Sequence, residues 1–85
     1  MSEVFAEANR IKDRLRACTS EAEVVQVAAE ERAVVMTWTD TTDEKELVKR
    51  LKAKPDDRGL MFLHIVWLKR QLITGFREQE QGRAA

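Results

Sequence analysis

The chain has few of the residues that form tight turns or covalent crosslinks. It holds one proline, three glycines and no Asn-Gly or Asp-Gly pair, so it offers little of the turn chemistry on which β-hairpins depend. Its single cysteine, Cys18, can form no internal disulfide. A lone cysteine is typical of a reducing compartment, most simply the cytoplasm. These scarcities make a disulfide-stabilised or hairpin-rich fold a poor match for the sequence.

Long apolar runs and an excess of one charge are also missing. The first ten residues, MSEVFAEANR, contain no apolar signal-peptide core. The apolar stretch from Leu60 to Leu68 is interrupted by His64 and is far shorter than the ~20 residues of a membrane span. Lysine and arginine balance aspartate and glutamate to a net charge of zero, whereas nucleic-acid binders usually carry a basic excess or a basic stripe. We therefore expect a cytoplasmic protein with no membrane association.

Residues suited to catalysis are scarce as well. His64 is the only histidine and Cys18 the only cysteine, so the chain can build no His/Cys metal cluster. The two could act as a nucleophilic pair only if the fold brought them together. More simply, Cys18 is a small apolar residue on a helix stripe and His64 lies at the edge of a core. The glycines are isolated and form no phosphate-binding loop. We expect no enzymatic activity, no cofactor and no metal.

The residues that are abundant favour helices. The chain is rich in Ala, Glu, Lys, Arg and Leu, whose side chains lose little rotamer freedom on a helix. A chain of 85 residues is the size of one domain. The sequence predicts a single helical domain over residues 1–85, folded as a small all-α four-helix bundle with a long C-terminal helix.

Two helices are predicted in the first half. The first should run from Ser2 or Glu3 to Cys18, since its apolar residues recur every three or four positions. The second should start after Ser20, whose pairing with Glu23 matches a capping box, and reach about Met36. Residues 33–39 can be interpreted as helix or as extended chain, because β-branched residues are frequent there.

The second half predicts a short helix and a long one. The short helix should cover about residues 43–53, capped by Thr42 or Asp43 and ended before Pro55. The long helix should open at Asp56 or Asp57 and reach about Gln79, which leaves residues 79–85 frayed.

The long helix carries more apolar surface than one face can hold. Within GLMFLHIVWLKRQLI, residues 59–73, a helical projection places most apolar side chains around Ile65, with Leu60, Leu63 and Trp67 almost opposite. Either the helix runs through the middle of the bundle, or these residues face a partner. Trp38 is a further large aromatic with no clear periodicity. Leu60, Leu63, Trp67 and Trp38 are therefore the candidate interface.

These features predict a non-enzymatic interaction module: a small adaptor, regulator or assembly protein acting through protein–protein contacts. A homo-oligomer is expected, because three shorter helices are few for wrapping the fourth. The alternative is a nucleic-acid-binding regulator that uses a basic face within residues 45–58, since exposed cations can neutralise phosphates. The residues of that basic face are Lys45, Lys49, Arg50, Lys52, Lys54 and Arg58.

Overall fold

A computed structural model describes residues 3–84 and confirms the predicted all-α fold with a long C-terminal helix. Within that range the chain forms four helices and no strand. They are α1 (Glu3–Arg16), α2 (Glu21–Val35), α3 (Glu44–Ala53) and α4 (Asp57–Ala84). The alternative start of α1 at Ser2 lies outside the described residues.

The break between α1 and α2 is fixed by local hydrogen bonds. Ser20 is the N-cap of α2, and its hydroxyl accepts a bond of 3.2 Å from the Glu23 amide. The Glu23 carboxylate reaches back to the Thr19 amide, at 2.7 Å. The predicted cap is therefore confirmed, with the return bond made one residue earlier than in a standard capping box. This cap also ends α1 at Arg16 instead of Cys18.

Residues 33–39 end a helix and do not form extended chain. α2 continues to Val35, after which the amides of Thr37 and Trp38 bond to the carbonyls of Val34 and Val35. Each of these bonds spans three residues, so the helix finishes in a tight turn.

α3 and α4 both begin at capping aspartates. The Asp43 carboxylate accepts bonds from the amides of Lys45 and Glu46, and that of Asp56 accepts from Gly59. α4 then continues to Ala84, beyond its predicted end near Gln79, whereas the predicted fraying of residues 79–85 stays a prediction. An Arg77–Glu21 ion pair, two residues before Gln79, ties α4 to α2. Ala85 lies outside the described residues.

α4 organises the bundle. α1 and α2 pack on it and on each other, whereas α3 contacts α4 alone. The apolar stripe of α1 is buried, and so are four large apolar side chains in the first turns of α4. The central-helix interpretation is therefore correct for this part of α4. The four buried side chains are those of Met61, Phe62, Leu63 and Ile65.

This burial corrects the interface prediction for two residues. Leu63 is 1% exposed and Trp38 is 4% exposed, so both belong to the core and neither offers surface to a partner. Leu63 lies on the side of α4 that α3 contacts. Leu47 of α3 lies 3.8 Å from the position that a Cβ would take at Gly59, one turn before Leu63. Glu44 of α3 bonds to Trp67 and Arg70, one and two turns after Leu63. Of the four helices described, none is both long and apolar enough to cross a membrane.

Candidate protein-interaction surfaces

Trp67 is the largest side chain that the fold leaves in solvent. It is 44% exposed, and Leu60, two turns earlier on the same side of α4, is 37% exposed. We call these two residues the Trp67 surface. The Trp67 indole is nevertheless fixed, since its Nε1–H donates a hydrogen bond of 3.0 Å to Glu44 Oε1 on α3. The second oxygen of Glu44 accepts from Arg70.

The Glu44 carboxylate has two tasks in this arrangement. Its hydrogen bond with Arg70 lowers its pKa below the ordinary value, with a smaller contribution from Trp67, so it stays ionised at neutral pH and remains a strong acceptor. It joins α3 to α4 and holds the indole in one orientation. The sequence carries no signal for this role of Glu44, because its two partners lie more than twenty residues away.

A second apolar surface lies between α2 and α4. It is a groove of about 410 Å³, which we call the α2–α4 groove. One wall is built from α2 residues at helical spacing and includes Val25, which is 49% exposed. The other wall comes from the stretch of α4 between Phe62 and Lys69. The groove could not be predicted from the sequence, because neither helix shows by itself which neighbour fails to cover it.

Cationic side chains border the α2–α4 groove. Arg32 of α2 and Lys69 of α4 both line it, and neither side chain forms an ion pair within residues 3–84. Lys69 is only partly exposed, as expected for a side chain whose stem lies along apolar surface.

Glu31 also lines the groove but turns its charge towards α1. It is 6% exposed, and its carboxylate accepts hydrogen bonds from Arg10, at 3.0 Å from Nη2, and from Arg14, at 2.8 Å from Nη1. The bond from Arg10 does most to lower the pKa of Glu31 to about 2, against the opposing effect of burial. Glu31 is thus a buried charge whose carboxylate is bound by two arginines of α1.

The predicted basic face is exposed along its whole length. All six of its residues are exposed, but Arg50 is held by Asp40, at 2.7 Å, and by Glu46, at 3.2 Å. Lys45, Lys49 and Lys52 lie within about 60° of one another around α3 and have no ion pair in the described part of the chain. The structure therefore brings the lysines together and takes Arg50 out of the set.

Cys18 and His64 do not form a nucleophilic pair. The Cys18 thiol donates to the carbonyl of Arg14, at 3.4 Å, and burial raises its pKa. His64 is partly buried, and burial, with the nearby charge of Lys12, lowers its pKa. Among residues 3–84 no three His, Cys, Asp or Glu side chains are grouped so that they could hold a metal ion.

Comparisons with protein families, with characterised proteins and with solved structures find no match to this chain.

Proposed function

We propose that this chain is a non-enzymatic helical interaction module that self-associates through the Trp67 surface. The observation that carries the proposal is that Trp67 is both exposed and held in place. Ordering a side chain at an interface costs about 0.5–1.5 kcal/mol. The hydrogen bond to Glu44 already orders Trp67 in the free chain, so association loses less conformational entropy there. Tryptophan is also among the residues most enriched at the centres of protein interfaces.

A second copy is the partner that this surface suits best. The chain carries no net charge, so two copies do not repel each other as a whole. Leu60 and Trp67 lie two turns apart on α4, and an isologous contact would pair each with the other on the opposite copy. The lone Cys18 favours a reducing compartment such as the cytoplasm as the place of action.

The test is the mass of the full chain in solution, measured by size-exclusion chromatography with light scattering over a range of concentrations. We expect a dimer that Leu60→Glu with Trp67→Glu converts into a helical monomer. Val25→Glu is the matched control, since Val25 is just as exposed but lies on the α2–α4 groove, and it should remain dimeric. A wild-type chain that is monomeric at millimolar concentration would remove the proposal.

Nucleic-acid binding is the second candidate, and the unpaired lysines of α3 favour it. Each phosphate contact they make should contribute about 0.9 to the slope of log affinity against log salt. The measurement is fluorescence anisotropy of a labelled duplex at several salt concentrations. Lys45→Glu with Lys49→Glu should abolish binding, whereas Lys69→Glu, on the α2–α4 groove, should leave most of it. No binding by the wild-type chain at low salt rejects this candidate.

A further inference from the structure

The α2–α4 groove is where this bundle lacks a neighbouring helix. α1, α2 and α4 pack against one another in a triangle, and α3 contacts α4 but not α2. In a regular four-helix bundle the fourth helix would lie along two of the other three. Here α3 lies beside Gly59 and Trp67 instead. The α2–α4 groove is therefore not covered by any helix within residues 3–84.

The shape of the groove suits a helix. On α2 its wall contains Val25, Ala29, Arg32 and Met36, which repeat at the spacing of one helix face and span about three turns, or ~16 Å. The small side chain of Ala29 lies in the middle of this wall and lets a neighbouring backbone approach closely. Ridges of an incoming helix can therefore enter between the two walls.

The charges around the groove define the chemistry of that helix. Arg32 and Lys69 stand on opposite walls and are not paired with any carboxylate in the described chain. Glu31, the acidic residue that lines the groove, is committed to Arg10 and Arg14 of α1. A helix with Asp or Glu on both sides of its apolar stripe would complement the two cations, and one with Lys or Arg there would be repelled.

A second copy of this chain does not meet these requirements. The apolar stripes of α1 and α3 are directed into its own core, and its exposed large apolar residues are Val25, Leu60 and Trp67. If the grooves of two copies faced each other, Arg32 and Lys69 of one copy would lie near Arg32 and Lys69 of the other, and these like charges would repel. We propose that the α2–α4 groove binds an amphipathic helix of a different protein, with acidic residues flanking its apolar stripe. This surface is separate from the Trp67 surface.

The test uses two fluorescein-labelled synthetic helical peptides of about 16 residues. Both carry leucines at positions i, i+4, i+7 and i+11; one has glutamates beside that stripe and the other has lysines in the same places. Anisotropy titrations with the full chain should give a Kd on the order of 10 µM for the acidic peptide and binding at least ~10-fold weaker for the basic one.

Variants locate the binding. Ala29→Trp fills the groove and should weaken binding of the acidic peptide at least ~10-fold. Gln26→Trp is the control on the same helix, because Gln26 is exposed and does not line the groove. Arg32→Glu with Lys69→Glu should reverse the preference between the peptides. Circular dichroism confirms that each variant is folded.

The proposal would be overturned by no binding of the acidic peptide at millimolar concentration, by equal affinity for the two peptides, or by full binding to the Ala29→Trp variant. Loss of binding on changing Leu60 and Trp67 to Glu would also overturn it, because the peptide would then occupy the Trp67 surface. The proposal is independent of self-association, and a monomeric wild-type chain that binds the acidic peptide would support it.

Discussion

The Glu31 carboxylate of α2 accepts a 2.8 Å hydrogen bond from Arg14 of α1. Arg10, one turn earlier on α1, binds the same carboxylate. Glu31 is almost completely buried, whereas the side chains of both arginines remain 40–49% exposed. The cluster is therefore asymmetric: the Glu31 carboxylate is shielded from water, whereas the guanidinium groups of Arg10 and Arg14 stay partly in contact with water. This asymmetry decides what each substitution should do.

Glu31→Gln should destabilise the fold by about 1–2 kcal/mol. Breaking a buried ion pair usually costs 3–5 kcal/mol because a charge is left without a partner, but here the charges left behind can still be solvated. The measurement is urea unfolding followed by circular dichroism. Glu30→Gln is the matched control, since Glu30 is exposed and also pairs with Arg14. An equal loss of stability in both variants would contradict the structural role of Glu31.

Acid should weaken the protein through the same carboxylate. The folded-state pKa of Glu31 is about 2 and its ordinary value is 4.5, so the folded state favours the ionised form. Its contribution is complete above pH 4.5 and is lost progressively as the pH falls towards 2.

Because the pKa values of Glu44 and Asp40 are lowered as well, the informative quantity is the difference between wild type and Glu31→Gln. We expect that difference in unfolding free energy to be constant above pH 5 and to shrink between pH 4.5 and 2. A difference that does not change with pH would assign the stability to packing.

The spacing of apolar residues predicts the buried face of α1 but not that of α2, and Glu31 explains the contrast. The stripe Val4, Ala8, Ile11 and Leu15 can be read from spacing alone, and all four residues are buried. In α2 a charged residue occupies an inward position. A helical projection treats it as a solvent residue, because the arginines that satisfy it come from another helix.

α4 shows a second limit of sequence patterns. The projection correctly placed Leu63 on the side opposite Ile65, but both residues are buried. Helical periodicity predicts the direction in which a side chain points, but it does not predict whether another helix packs on that side. For the same reason Leu60 and Trp67 stay exposed beside a buried Leu63, and the α2–α4 groove could not be predicted.

Substituting the two leucines separates core from surface. Leu63→Ala should cost about 2–5 kcal/mol, the range for deleting a buried leucine side chain. Leu60→Ala, on the partly exposed neighbour, should cost less than about 1 kcal/mol. Thermal and urea unfolding at low protein concentration measure both without a contribution from self-association. A small effect of Leu63→Ala would mean that α3 does not cover this side of α4.

Two glycines of α4 should respond differently to alanine. At Gly75 an added Cβ meets no atom within 4 Å, so Gly75→Ala should raise stability by up to about 1 kcal/mol through better helix propensity. At Gly59 the Cβ would lie 3.3 Å from Asp56 Oδ2, the oxygen that caps the Gly59 amide. Asp56 must shift by a few tenths of an ångström and weaken that bond, so Gly59→Ala should gain less.

Substitution by leucine should give a larger difference in stability between Gly59 and Gly75 than substitution by alanine. The next atoms around Gly59 are the methyl groups of Leu51 and Leu47 on α3, 3.7 and 3.8 Å from the Cβ position. Gly59→Leu should therefore push α3 away and destabilise the fold by about 1–3 kcal/mol, as overpacking does, whereas Gly75→Leu should be neutral or stabilising. Because α3 also holds Trp67 through Glu44, the displaced helix should release the indole. Time-resolved anisotropy of tryptophan fluorescence should then show faster motion of the Trp67 indole in Gly59→Leu than in Gly75→Leu. Equal mobility in the two variants would show that Trp67 is not held by α3.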